Sequence, residues 1–307
     1  MKAAGLKVTV VGGAGFIGPH VARELLRRES RVRVVDDLRH GNGQAQRRTV
    51  EALAVEFRWH DVTNWFAARE AVGDSDLVIN LATVSVRQSL AAPVVTAEAV
   101  SAIGATTPFA CAEVGVRRYA YVSSSEVYGE AVDGPLHEGA PCKPQTVYGA
   151  AKLAGEGYAE AARLARGLEV VVVRPFNAYG PGSHVGGRAG EAIPRWIAQA
   201  TGGVPLSIHG DGQQTRDYTF VTDIARGIVD AALSDAMVGT GPVNLCSGVE
   251  RSAMSVARDV AEAVGADAHG AAPIGPLLCE PRPCDLRRQV GCAARAAVLL
   301  GWSPSVD

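Results

Sequence analysis

Three glycines, Gly12-x-x-Gly15-x-x-Gly18, stand between an apolar run from Leu6 to Val11 and a stretch with helical periodicity from Phe16 to Arg28. A strand, a glycine turn and a helix in immediate succession leave few folds open, because the returning strand must lie parallel to the first. Arg31 to Val35 supplies that strand. Glycine lets the backbone turn tightly and approach a ligand closely. The helix start then offers unpaired N–H groups and a positive dipole end, which together suit a pyrophosphate. The second strand ends in Asp36-Asp37. A carboxylate there accepts hydrogen bonds from ribose hydroxyls and repels a 2′-phosphate, which favours NAD over NADP. Arg33 and Arg39 lie nearby and pull the other way.

The alternation continues. Asp76 to Leu81 reads as a strand, Thr96 to Val114 as a helix, Arg118 to Ser123 as a strand, Tyr148 to Arg166 as a long Ala-rich helix and Glu169 to Arg174 as a strand. Strands alternating with helices imply an α/β protein, a doubly wound parallel sheet of the Rossmann type. After Pro175 the pattern loosens. Gly180-Pro181-Gly182 and Gly186-Gly187 punctuate loops, and Gly270 to Pro283 is rich in Pro and Gly. The expected division is a dinucleotide-binding domain over 1–175, with 216–246 returning to it, and a smaller C-terminal α/β substrate domain from 176–215 and 247–307.

Bulk properties narrow the partners. The net charge of −2 offers no case for nucleic acid or an anionic membrane. No uninterrupted apolar run reaches bilayer length, and Met1 to Lys7 shows no signal-peptide h-region. Six cysteines without a CxxC pair read as reduced thiols of a cytoplasmic protein rather than as a metal site. Among only four lysines, Lys152 falls one helical turn after Tyr148, so both side chains share a face. Tyrosine is a poor base at its ordinary pKa of about 10. A neighbouring ammonium and the positive ring of an oxidised nicotinamide favour the phenolate. Ser124, at the C-terminal end of a strand, lies where α/β sheets place ligands and can bond the same substrate oxygen. Asp61-Val62 follows another short strand; Asp61 either meets the adenine edge or caps a helix before Thr63-Asn64.

These residues resemble the extended short-chain dehydrogenase/reductase family, in its branch of NAD-dependent nucleotide-sugar epimerases and dehydratases. The resemblance rests on residues 12–18, on Ser123-Ser124-Ser125-Glu126-Val127-Tyr128-Gly129 and on Tyr148-x-x-x-Lys152. It extends through Arg174 to Pro181, His209 to Asp217, Arg282-Pro283-Cys284-Asp285 and Leu300-Gly301-Trp302. It implies cofactor contacts from Phe16, Ile17, Val62, Leu81, Ala82 and Pro175 beside the glycines. It implies a substrate pocket from Ser85, Asn177, Ile193, Arg195, His209, Arg216 and Arg282, with Asn177, Arg216 and Arg282 on the pyrophosphate. A homodimer built on the helices Thr96–Val114 and Tyr148–Arg166 follows from the same resemblance, as does a UDP-sugar substrate. Asn80 replaces the family's usual His and Ser101 its usual Asn, and relatives generally add a helix after the position of Trp302.

The family's shared first step is oxidation at sugar C4, after which the C5–H is acidic. Dehydratases carry Thr-Asp-Glu where this chain has Ser124-Ser125-Glu126. Glu126 is expected either to remove the C5 proton, with Ser125 or a water assisting departure of the C6 oxygen, or simply to bond a sugar hydroxyl. The expected activity is therefore dehydration of a nucleotide-linked hexose or hexosamine through a C4 ketone. A 4-epimerase is the alternative; a decarboxylase or a non-catalytic NAD-binding regulator is expected less.

Overall fold

The computed structural model describes residues 1–39, 43–186, 190–267 and 276–306. The opening forms as expected: β1 (Lys7–Val11), α1 (Gly18–Arg27) and β2 (Arg31–Asp36), then α2 (Gly43–Glu51), β3 (Glu56–Trp59) and α3 (Trp65–Val72). Next come β4 (Leu77–Asn80), α4 (Val86–Ala91), α5 (Pro93–Glu113), β5 (Arg118–Val122), α6 (Val147–Arg166) and β6 (Glu169–Pro175). α1 begins two residues later than its periodicity suggests, so Phe16 and Ile17 belong to the turn. Pro19 at the helix start needs no hydrogen-bond donor there.

The later chain gives β7 (Asn177–Tyr179), α7 (Ala192–Thr201), β8 (Leu206–His209), β9 (Thr215–Phe220), α8 (Val221–Leu233) and β10 (Pro242–Leu245). It ends with β11 (Glu250–Ser252), α9 (Ala253–Asp267), β12 (Pro276–Cys279), β13 (Arg288–Gln289) and α10 (Ala294–Leu300). The Gly- and Pro-rich run from Gly270 to Pro283 falls partly outside the described residues, as does Gly187.

Seven parallel strands form the large sheet in the order β10-β6-β5-β4-β1-β2-β3. The direction of winding reverses between β1 and β4, and a doubly wound sheet opens its binding crevice at such a point, beyond the carboxyl ends of the strands. α1 and α8 cover one face over Val8, Val10, Val34 and Ile79. α3, α5 and α6 cover the other over Val11, Val35, Val78 and Tyr121. By length and a mean hydropathy of 1.3, α5 is apolar enough to cross a bilayer, which the sequence reading did not expect. In the fold, Val100, Ile103, Gly104, Thr107 and Cys111 of α5 are buried, and the helix packs on α6 and α3.

The chain leaves the large sheet at Pro175 and returns through α8, which packs on α1, and through β10, which runs parallel to β6. Between and after these, a small sheet joins β11, β9 and β13, with β7 also on β9; β8 pairs with β12. Of the stretch Thr215–Leu233, the strand stays with the small sheet and only the helix folds onto the large one.

Candidate active site

One cavity of about 500 Å³ opens at the winding reversal, between the large sheet and the later segments. Its floor is the glycine turn. Gly12 has φ +72°, and a Cβ there would sit 2.5 Å from the Ala82 backbone, so glycine is obligatory for packing. Gly15 differs: a Cβ would meet only Gly12 O, at 3.4 Å, and would otherwise project into the cavity. That is the cradle a close-lying phosphate requires. Phe16, Ile17 and Gly18 complete this wall.

Asp36 stands at the end of β2, accepting from Ala14 N at 3.0 Å and Leu38 N at 2.8 Å. Asp37 and Arg39 form an ion pair at 3.2 Å, and Arg39 also pairs with Asp61. Arg33 is turned away, bonded to Glu56 and to Gly73 O. The two cations that pull toward a 2′-phosphate in the sequence, Arg33 and Arg39, are thus both taken up by carboxylates, in keeping with NAD. Asp61 accepts from Thr63 N and Oγ1, and the cap of α3 is Asn64, not Asp61. Val62, Leu81, Ala82 and Pro175 line the cavity beside it. Asn80 is buried and braces this wall: its Nδ2 donates to Thr107 and Tyr119, and its Oδ1 accepts from Ala82 N at 3.0 Å.

The proton-transfer group sits deeper. Thr146 caps α6 by accepting from Gly149 N, which fixes Tyr148 in the first turn. Burial pushes the Tyr148 phenol up to about 12, against hydrogen bonds from Ser124 and Thr83 that favour the phenolate. Lys152 is buried, donates to Val122 O at 2.9 Å and lies 5.9 Å from the Tyr148 ring centre. Its own pKa is held down to about 7 by desolvation, opposed by Glu156. Desolvation thus opposes the phenolate in the ligand-free protein, and the positive nicotinamide ring would act in the other direction.

Next to Tyr148 stands Glu126, in a 3-10 turn (Ser125–Val127) capped by Ser124. Burial raises its pKa, while Arg216, Thr146 and Gln289 favour the carboxylate and Asp285 opposes it. Thr146 Oγ1 donates to Glu126 Oε2 at 3.2 Å. Ser125 lines the cavity and donates to Gln289 Oε1 at 3.2 Å.

The far end of the cavity is basic. Ser85, which caps α4, and Asn177, Ile193, Arg195, His209, Arg216 and Arg282 all line it. Arg216 is held by Asp285 at 2.6 Å and by two carbonyls. Arg195 and Arg282 form no ion pair among the described residues. Desolvation, then Arg195 and Arg87, bring Arg282 down to about 10. Asn177 Oδ1 and Arg195 Nε are buried without partners. Uncompensated cations and orphaned polar atoms on a cavity wall suit an anionic ligand. Arg87 and Thr83 belong to this site although the sequence reading did not single them out; their signal was position alone, just after β4.

Glycine cradle, acidic strand end and Ser-Tyr-Lys group in one cavity define a dinucleotide-dependent enzyme. Residues 8–246 match the model of the NAD dependent epimerase/dehydratase family. The UDP-glucose 4-epimerase of Mycolicibacterium smegmatis is 32% identical over 306 residues, 98% of this chain and 94% of that protein. UDP-glucuronic acid decarboxylase 1 of Xenopus tropicalis is 29% identical, over 98% of this chain and 69% of its own length. Among solved structures, the UDP-glucose 4-epimerase of Thermus thermophilus in complex with NAD superposes with a TM-score of 0.87 at 31% identity, covering 98% of this chain and 95% of that one. A dTDP-glucose 4,6-dehydratase from Streptomyces venezuelae with NAD bound gives 0.89 at 25% identity, covering 98% and 93%. The chain belongs to the NAD dependent epimerase/dehydratase family, and its cofactor is NAD.

Proposed function

We propose that the protein is a nucleotide-sugar dehydratase acting on a UDP-hexose or UDP-hexosamine through a transient 4-keto sugar. The observation that carries this reading is Glu126: a carboxyl of raised proton affinity, in the same cavity as Ser124 and Tyr148. The basic far wall, from Arg195, Arg216 and Arg282, takes the diphosphate by charge-assisted hydrogen bonds. Gly12 to Gly18, with Asp36, would hold NAD. When bound, NAD takes the hydrogen of C4 with its electron pair and later returns it to the sugar, so it is regenerated.

The chain's own residues do the rest. Ser124 bonds the C4 oxygen, and Tyr148 takes its proton as the carbinol becomes a ketone. The ketone acidifies C5–H, and Glu126 removes that proton. The C6 oxygen departs as water once protonated. The proton just received by Glu126 serves for this, with Ser125, which lines the same cavity, or a water assisting. A 4-epimerase is the second reading, favoured by the likeness to UDP-glucose 4-epimerases over nearly the whole chain. In that case Glu126 only binds a hydroxyl. We further propose a homodimer built on α5 and α6, where Tyr158 of α6 is 37% exposed.

Mass spectrometry of products from UDP-glucose and UDP-N-acetylglucosamine in D₂O separates these readings. Loss of water with solvent deuterium in the product is the expected result. An unchanged formula, no deuterium and a new chromatographic peak would establish epimerisation instead.

A further inference from the structure

β13 is two residues long, and both its edges are occupied. Along one, Arg288 and Gln289 run parallel to Thr215 and Arg216 of β9. Along the other lies the chain that leaves the 3-10 turn. Ala131 N donates to Arg288 O at 3.0 Å and Leu136 N to Val290 O at 2.8 Å. The Glu130 carboxylate accepts from Arg287 N and Arg288 N at 2.9 and 2.5 Å. β13 is thereby wedged between the loop that carries Ser125 and Glu126 and the strand that carries Arg216.

Gln289 is fully buried in that wedge. Its Oε1 accepts from Ser125 Oγ. Its Nε2 has no hydrogen-bond partner among the described residues, and the Gln289 side chain lies near enough to the Glu126 carboxyl to favour its ionised form. A buried donor left short of a partner costs on the order of 1–3 kcal/mol. A methionine would fill the same space without that cost, so packing alone does not account for a glutamine here.

We propose that Gln289 is a positioning residue, whose Oε1 holds the Ser125 hydroxyl while its amide stands beside the Glu126 carboxyl, so that the two face the sugar as one unit. The inference rests on the reading of Glu126 as the group that acts at C5. Other groups face Glu126 as well: Arg216 from β9 favours the carboxylate, Asp285 from the preceding loop opposes it, and Thr146 donates from the start of α6. Tyr148 of α6 in turn feels the Glu126 charge. Gln289 is the member of this set that also grips the neighbouring Ser125, so it controls orientation and proton affinity together.

The test uses the full-length enzyme with NAD bound, as wild type, Gln289→Met and Gln289→Glu. Infrared titration of the carboxyl stretch, with Glu126→Gln as the subtraction reference, reads the Glu126 midpoint directly. Loss of a nearby amide that favours the carboxylate should raise it in Gln289→Met. Gln289→Glu, which keeps the acceptor for Ser125 but adds a like charge, should raise it further. With UDP-sugar in D₂O, formation of reduced nicotinamide should change less than twofold. Deuterium uptake at C5 should fall by about tenfold or more with KM unchanged. A midpoint unmoved in both variants, with only a lower melting temperature, would overturn the proposal. Absence of deuterium uptake in the wild type would sink the C5 reading of Glu126, and the infrared midpoints would still decide the part played by Gln289. Should Gln289→Met fail to fold, the nearly isosteric Gln289→Glu carries the test.

Discussion

The two ends of the cavity are built on opposite principles. At the cofactor end the backbone itself is the binding surface: a Cβ at Gly12 would strike the Ala82 backbone, and Asp36 is fixed by two backbone N–H groups. At the substrate end the surface is made of long cationic side chains from α4, α7, β9 and the loop before β13, with Arg195 and Arg282 unpaired among the described residues. The first end is complete before its ligand arrives. The second holds unfavourable charge that an anion relieves. Stability and affinity should therefore respond in opposite ways to substitutions at the two ends.

The sharpest probe lies where they meet. Lys152 has a pKa near 7 in the fold, against about 10.4 when unfolded. Below pH 7 both states are protonated and the burial cost is felt in full. Between about pH 7 and pH 10 the folded state has released its proton, so the cost fades as pH rises. Lys152→Met should abolish turnover yet exceed the wild type in stability by on the order of 4 kcal/mol at pH 6, with the gap closing toward pH 10. Urea denaturation of the cofactor-free proteins across that range measures it; a gap independent of pH would contradict the assignment.

Gly12→Ala comes next. It combines a left-handed backbone with a backbone collision and should cost about 2–4 kcal/mol in stability, with NAD affinity lost alongside. Calorimetry with and without NAD reads both; an alanine variant that keeps its melting temperature would show the cradle to be pliable. Arg282→Met should have the smallest effect on the fold and the opposite signature. KM for the nucleotide sugar should rise by roughly 10–100-fold, while the free protein melts no lower than the wild type. A drop in melting temperature would mean that Arg282 serves the fold and not the ligand.

The same contrast explains what was legible in the sequence. The cofactor end is local: Gly12 to Asp36 is one βαβ unit, and its periodicity, glycines and terminal carboxylate lie within a short window. Tyr148 and Lys152 share a helix turn, so their pairing was equally plain. The substrate end gathers Arg87, Asn177, Arg195, Arg216 and Arg282 from separate elements, and only resemblance to a family brought most of them together. Arg87 and Thr83 flank Ser85, which the resemblance did place in the pocket, but they carry no motif of their own. The desolvation of Tyr148 was not legible for a different reason. Desolvation depends on what lies above the helix, and no pairwise spacing conveys that. The capping of α3 turned on Asn64 rather than Asp61 because Asp61 is taken by Thr63 and Arg39. Likewise α5 reads as membrane-compatible by composition alone, while its burial depends on α3 and α6.

The return of the chain to the large sheet bears on how the protein is made. β10 flanks β6, yet about 70 residues separate the end of β6 at Pro175 from Leu245 at the end of β10. During synthesis the first six strands emerge with β6 as an open edge, its N–H and C=O groups unpaired. At 5–20 residues per second that edge stays uncovered for roughly 4 to 14 seconds. Through that interval the nascent chain displays a buried-type strand, Glu169–Pro175, to any other strand nearby. A late-arriving seventh strand thus makes translation speed across the small-sheet segments a determinant of yield: chaperone capture or a slowed ribosome would act on the same exposed edge, in opposite directions.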